Sequence, residues 1–323
     1  MNTKAPENTE NKRTGNAVYT FLALIVMALW GSLFACVKLG YRTFGIDTSS
    51  VADIIMFASM RFTVCGAVMC FAAAVSRAKL VKPVGKNVLR LVFVGIFAIV
   101  LHYAFLYVGL TMTDSSKTAL LKQTGPLIYA CFAFLFVKSE KFSIYKIIGA
   151  LVGFCGIVAI NFGNPLSSFA VGDLLILAAS VCSVISMMLS ERSSGNSPVW
   201  ITGISQLSGG IIMLAAAKVM GAEAPSFTAG STPVFVYICA ASITGYTLFY
   251  FVQRKIKLST LSIIKFSEPL FACIFGAVLL GEDILKLRYL AAFVLITASI
   301  LLARRDTNIG KKGEAHGNES KHS

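Results

Sequence analysis

Lys122 and Lys265 each stand inside a run of apolar side chains, which makes them the first candidates for chemistry. An ammonium group held in hydrocarbon costs about 2.5–3.5 kcal/mol on insertion scales. Each lysine is followed four residues later by a proline, Pro126 or Pro269. Proline lacks the amide hydrogen that would bond the carbonyl four residues back, and the carbonyls released are those of the two lysines. Inside a membrane such carbonyls must line a cavity or find a new partner. Each site therefore offers an ammonium and a released carbonyl on one turn of a helix that breaks and hinges at the proline. That combination suits capture of a carboxylate or phosphate. The competing reading lets each lysine snorkel to its nearer interface or pair with a structural carboxylate.

Other polar groups stand near these positions in the sequence. Glu268 lies three residues after Lys265, on the same helical face. It is a candidate to bind a substrate ammonium or to take a proton, or else to form a fixed ion pair with Lys265. His102 is the one histidine within an apolar run, suited to substrate contact or proton relay, or to a buried structural bond. Tyr103 and Tyr107, like Tyr246 and Tyr250, are paired at i, i+4, a spacing that serves cavity walls and plain packing alike. Trp30 is too deep in its run for an interfacial belt and joins the candidate substrate-binding set. Arg61, also deep, is read as a structural charge reaching back toward Asp53. No second His, Cys or Asp stands at metal-ligand spacing, so no metal or other cofactor is expected.

The elements that must carry these residues are membrane spans. Hydrophobic residues make up 56% of the 323 positions and charged ones only 14%, against about 25% charged in ordinary soluble domains. The apolar runs approach the ~20 residues a helix needs to cross the bilayer. They place ten spans near 17–39, 52–75, 88–110, 115–137, 144–162, 171–189, 199–219, 233–253, 259–280 and 288–303. Without polar–apolar alternation they are not barrel strands. The first run lacks a small-residue cleavage site and reads as a retained helix. The eight cysteines all lie in apolar runs without a CxxC pair, which argues for buried thiols.

The net charge of +14 does not point to nucleic acid, because the basic residues collect in short loops and tails. Arg77, Lys79, Lys82, Lys86 and Arg90, for example, share one loop region, and the excess puts both termini in the cytoplasm. Residues 1–16 and 304–323 are then cytoplasmic tails, the second disordered.

An internal repeat organises the spans. Lys122 and Lys265 are 143 positions apart, and the same offset pairs Tyr103 with Tyr246, Tyr107 with Tyr250, Ser116 with Ser259 and Pro126 with Pro269. It superposes spans 3 and 4 on spans 8 and 9. A shift of five spans is odd, so the halves 17–162 and 171–303 are inverted relative to one another. Inversion puts Lys122 on the outer and Lys265 on the inner side of the midplane. Glu268 falls opposite Gly125 and breaks the symmetry. Gly149, Gly153 and Gly156, and Gly209-Gly210, permit close helix contact, within the bundle or at a dimer face. Glu140 and Glu282 are read as interfacial residues near Lys141 and Lys286.

Several of these residues carry a resemblance: Trp30-Gly31-Ser32 and Lys38, Arg61-Phe62, Pro126, Glu140 with the glycines after it, Glu268-Pro269, Gly276 and Gly281-Glu282. The chain resembles the drug/metabolite transporter superfamily, EamA type, from about Tyr19 to Ala303. It departs at Ala291-Ala292-Phe293, where small-residue glycines are expected, a change that bears on packing. The resemblance implies a ten-helix cell-membrane protein that exports or exchanges small organic metabolites, such as amino acids, by alternating access. Residue chemistry favours an anionic or zwitterionic solute, with proton coupling open; an organic cation held by Glu268 is the alternative. An intramembrane enzyme is disfavoured because HExxH, GxSxG and a histidine-served nucleophile are all missing. The expected partners are therefore a small-molecule solute and the lipid bilayer.

Overall fold

The computed structural model describes residues 7–76, 83–110, 112, 118, 121–136, 140–160, 171–281, 287 and 290–303, and these contain helices and no strands. The helices are α1 (Glu7–Phe44), α2 (Val51–Val75), α3 (Lys86–Gly95), a π-helical stretch (Ile96–Leu101), α4 (His102–Leu110), α5 (Thr124–Phe136) and α6 (Ile144–Ile160). There follow α7 (Val171–Glu191), α8 (Pro198–Val219), α9 (Ser231–Gln253), α10 (Leu258–Ile264) and α11 (Ser267–Leu280), then α12 (Leu290–Ala303). Among the described residues, seven helical stretches are long and apolar enough to cross a membrane, and α5, α6 and α12 are shorter apolar helices. α1 starts at Glu7, well before the apolar run that opens at Ala17, so helix intrudes on the stretch read as a tail. The expectations for Ser116, Glu282, Lys286 and residues 304–323 lie outside the described residues.

Helix contacts follow a reciprocal scheme. α1 packs on α9 and α11, while α7 packs on α4 and α5; α2 lies along α8, and α5 meets α10. Glycine makes the closest of these approaches possible. A Cβ on Gly66 of α2 would overlap the Leu207 backbone of α8. Gly149, Gly153 and Gly156 of α6 face Ser299 and Ile296 of α12, which places this glycine face inside the bundle. Gly281 ends α11 with φ 70°, the left-handed cap that glycine adopts without a Cβ penalty.

A buried polar knot ties the α5–α6 connection to the start of α10. The Lys146 ammonium donates to Glu140 Oε2 at 2.7 Å, with both side chains 3% exposed. The same carboxylate receives the Ser259 amide at 3.1 Å and the Ser259 hydroxyl at 2.8 Å. It thereby satisfies an amide in the first turn of α10 that no helical carbonyl can reach. Burial alone would push the Glu140 carboxyl up, but Lys146 and Ser259 outweigh it and hold the group below the ordinary carboxylate range. Glu140 is therefore an interhelical clasp built on Lys146 and Ser259, where the sequence pointed to an interfacial residue beside Lys141.

Candidate functional site

Both proline-marked breaks are present, and both lysines sit on them. Leu121 and Lys122 are helical, Gln123 is a turn, and α5 resumes at Thr124. In the other half α10 ends at Ile264, Lys265 and Phe266 form the turn, and α11 begins at Ser267. The two released carbonyls find partners differently. Ser180 of α7 donates its hydroxyl to the Lys122 carbonyl at 2.8 Å and accepts the Gly125 amide at 2.7 Å. The Lys265 carbonyl is met within its own turn by the Glu268 amide at 3.0 Å. The broken symmetry between Gly125 and Glu268 has a steric cause, since a Cβ on Gly125 would collide with Ser180. Ser180→Ala orphans a buried donor and a buried acceptor, each worth about 1–3 kcal/mol. The expected result is a lower melting temperature for the purified variant.

The breaks converge on one small cavity lined by His102, Lys122, Gln123, Pro126, Ser183, Lys265 and Glu268. Its volume of about 20 Å³ is room for roughly one water molecule. Two lysines read as lying on opposite sides of the midplane thus share one chamber. Their surroundings differ. Lys122 Nζ lies 3.2 Å from Glu268 Oε1, an ion pair between the halves, and 4.7 Å from the centre of the Phe34 ring. Lys265 is 9% exposed. Among the described residues its ammonium meets the Met187 thioether, at 3.8 Å, and the face of Trp30, at 5.7 Å. Among the described residues no carboxylate stands within ion-pair distance of it. Glu268 therefore bonds Lys122, not the Lys265 beside it in sequence.

His102 donates from Nδ1 to the Ala179 carbonyl of α7 at 2.8 Å, which leaves Nε2 as the ring's acceptor when the imidazole is neutral. It follows directly on the π-helical stretch, a local rewinding often found at functional positions.

The tyrosines and Trp30 stand beside this chamber and are not among its lining residues. Trp30 stacks on Tyr246 at 5.3 Å and on Phe249 at 5.1 Å, and its indole N–H is buried without a partner. Tyr103 stacks on Phe62 at 5.2 Å and on Tyr107 at 5.5 Å. Tyr250 lies 6.2 Å from Tyr246. Arg61 does not pair with Asp53. Its guanidinium lies 4.2 Å over the Phe62 ring and 5.7 Å from that of Tyr103, with Nε unpaired. Contacts of that kind contribute about 0.5–2 kcal/mol each, less than the several kcal/mol needed to strip a guanidinium of water.

Sequence reasoning passed over Ser180, Ser183 and Gln123. The signal for the serines was present: Ser180, Ser183, Ser186 and Ser190 recur at helical spacing in an otherwise apolar span.

Residues 18–162 and 170–304 each match the EamA-like transporter family. The chain belongs to that family. It is 23% identical over 279 residues to the inner membrane transporter YedA of Escherichia coli (strain K12), covering 85% of this chain and 87% of YedA. A transporter of Archaeoglobus fulgidus is 24% identical over 290 residues, 87% of this chain and 98% of that one. A solved crystal structure shares the fold with a TM-score of 0.72 at 18% identity, across 90% of this chain and 98% of that one. This EamA-like protein is accordingly a multi-pass membrane transporter, and the relatives' names describe transporters, not enzymes.

Proposed function

We propose that this EamA-like protein is a secondary transporter that carries a small organic carboxylate or zwitterion by alternating access between two inverted five-span halves. Lys265 carries this reading. It is a buried ammonium at a helix break, in a chamber shared by both halves, and among the described residues no carboxylate stands within ion-pair distance of it. Charges inside a membrane nearly always pair, and an anionic solute is the partner that this one lacks. The two family matches, one per half, and the reciprocal packing of α1 and α7 support the repeat. Ten spans follow from the apolar runs, both termini in the cytoplasm from the basic loops, and export or exchange from the family resemblance. With Lys122 engaging Glu268, that carboxylate has less to offer an organic cation.

Proteoliposome counterflow tests the reading. Vesicles loaded with unlabelled amino acids, simple carboxylates or amines are supplied with the labelled compound, with and without a pH gradient. Accumulation is expected for carboxylate-bearing solutes and not for amines. Counterflow confined to amines would sink the anion reading.

A further inference from the structure

We infer that Arg61 anchors a second binding station, one for an organic carboxylate with an aromatic or broadly apolar body. The inference rests on the anion reading of the transport site and deepens it, adding a second position and a chemical class for the rest of the solute.

Arg61 is 5% exposed, and its Nε has no hydrogen-bond partner. Among the described residues, none of the groups that face it is an acid. Its own helix supplies Phe62 and Cys65, α1 supplies Tyr41, α4 supplies Tyr103 and Tyr107, and α9 supplies Cys239 and Tyr246. Asp53, the acid on the same helix, is beyond ion-pair reach. Among the described residues the cluster thus holds a permanent cation, phenol hydroxyls and ring faces, and no carboxylate. A guanidinium presents parallel N–H groups in a planar fork that matches a carboxylate two-to-two. The faces of Phe62 and Tyr103 beside it suit a flat or apolar body better than a strongly hydrated one. Tyr103, Tyr107 and Tyr246 are half-buried around a guanidinium that is itself 5% exposed.

This station is separate from the lysine chamber and connected to it. Neither Arg61 nor any of its tyrosines lines that chamber. A row of rings joins the two cations: Lys265 on Trp30 at 5.7 Å, Trp30 on Tyr246 at 5.3 Å, Tyr246 near Phe62 at 6.4 Å, and Phe62 under Arg61 at 4.2 Å. The buried, partnerless indole N–H of Trp30 lies within this row. A carboxylate released from one cation therefore has an aromatic surface to cross and a second cation at its end.

Equilibrium dialysis of radiolabelled benzoate against the purified full-length chain tests the inference, with benzylamine as the control probe. Two benzoates per chain are expected for the wild type, and one each for Lys265→Met and Arg61→Gln. Arg61→Lys keeps the charge but loses the fork, and should bind its benzoate about tenfold more weakly. If Lys265→Met abolishes all binding while Arg61→Gln keeps the wild-type stoichiometry, the second station is overturned and the Lys265 reading survives. Loss of all binding in Arg61→Gln, with Lys265→Met unchanged, upholds the Arg61 station and overturns the Lys265 reading. Wild-type protein that binds benzylamine and not benzoate overturns both. Should Arg61→Gln fail to fold, unaltered benzoate affinity at both positions in Arg61→Lys overturns the station.

Discussion

Lys265→Met is expected to cut carboxylate counterflow on the order of 100-fold while raising, not lowering, the melting temperature of the empty protein. A hydrogen bond from a charged donor contributes about 1.5–3 kcal/mol, and each 1.4 kcal/mol is a factor of ten. The stability effect has the opposite sign because, among the described residues, the lysine has no carboxylate at ion-pair distance to lose and contacts the Met187 sulfur and the Trp30 ring instead. Methionine fills a similar volume without a charge to desolvate. Lys122→Met should behave differently, since it strands the 6%-exposed Glu268 without its cation, at a cost of about 3–5 kcal/mol. Counterflow and melting curves on both variants separate the roles. A Lys265→Met protein that transports normally, or that melts below wild type, would make Lys265 a structural residue.

Glu140→Ala should be among the most destabilising single changes outside the transport chamber. It takes the Glu140 counter-charge from the buried Lys146 ammonium and leaves the Ser259 amide without that acceptor. Breaking such a pair from one side costs about 3–5 kcal/mol. Removing both charges, in Glu140→Ala with Lys146→Met, should restore much of the loss, a coupling that a double-mutant cycle of melting temperatures reads directly. The pair also gives acid sensitivity of defined sign. Because folding depresses the Glu140 pKa, its contribution is complete above the unfolded value of about 4.3. It declines as pH falls below that value and is gone below the folded one. The stability difference between wild type and Glu140→Ala should therefore shrink on acidification. A difference that is constant from neutral pH to below 4 would count against the clasp.

Much of this architecture could be read from residue spacing, and the failures share a cause. Lys122 with Pro126 and Lys265 with Pro269 mark both helix breaks, because a missing amide is a local property of the chain. The choice of ion-pair partner is not local. Glu268 stands three residues from Lys265 and bonds Lys122 from the other half, a pairing set by how the two helix breaks meet. Arg61 likewise turns from Asp53 to rings delivered by α4 and α9. Glu140 reaches Ser259 across 119 positions. The π-helical stretch before His102 leaves no trace in apolar periodicity, since every residue from Ile96 to Leu101 is hydrophobic.

The unequal treatment of the two released carbonyls bears on how this molecule can move. Ser180 rivets the first kink to its neighbour, so sliding α5 away from α7 means breaking both bonds to that hydroxyl. The second kink closes on itself through the Glu268 amide, and among the described residues flexing α10 against α11 need sever no bond to another helix backbone. For the alternating access proposed above, a rocking step that spares hydrogen bonds would keep α5 and α7 together as one plank and use Lys265 as its pivot.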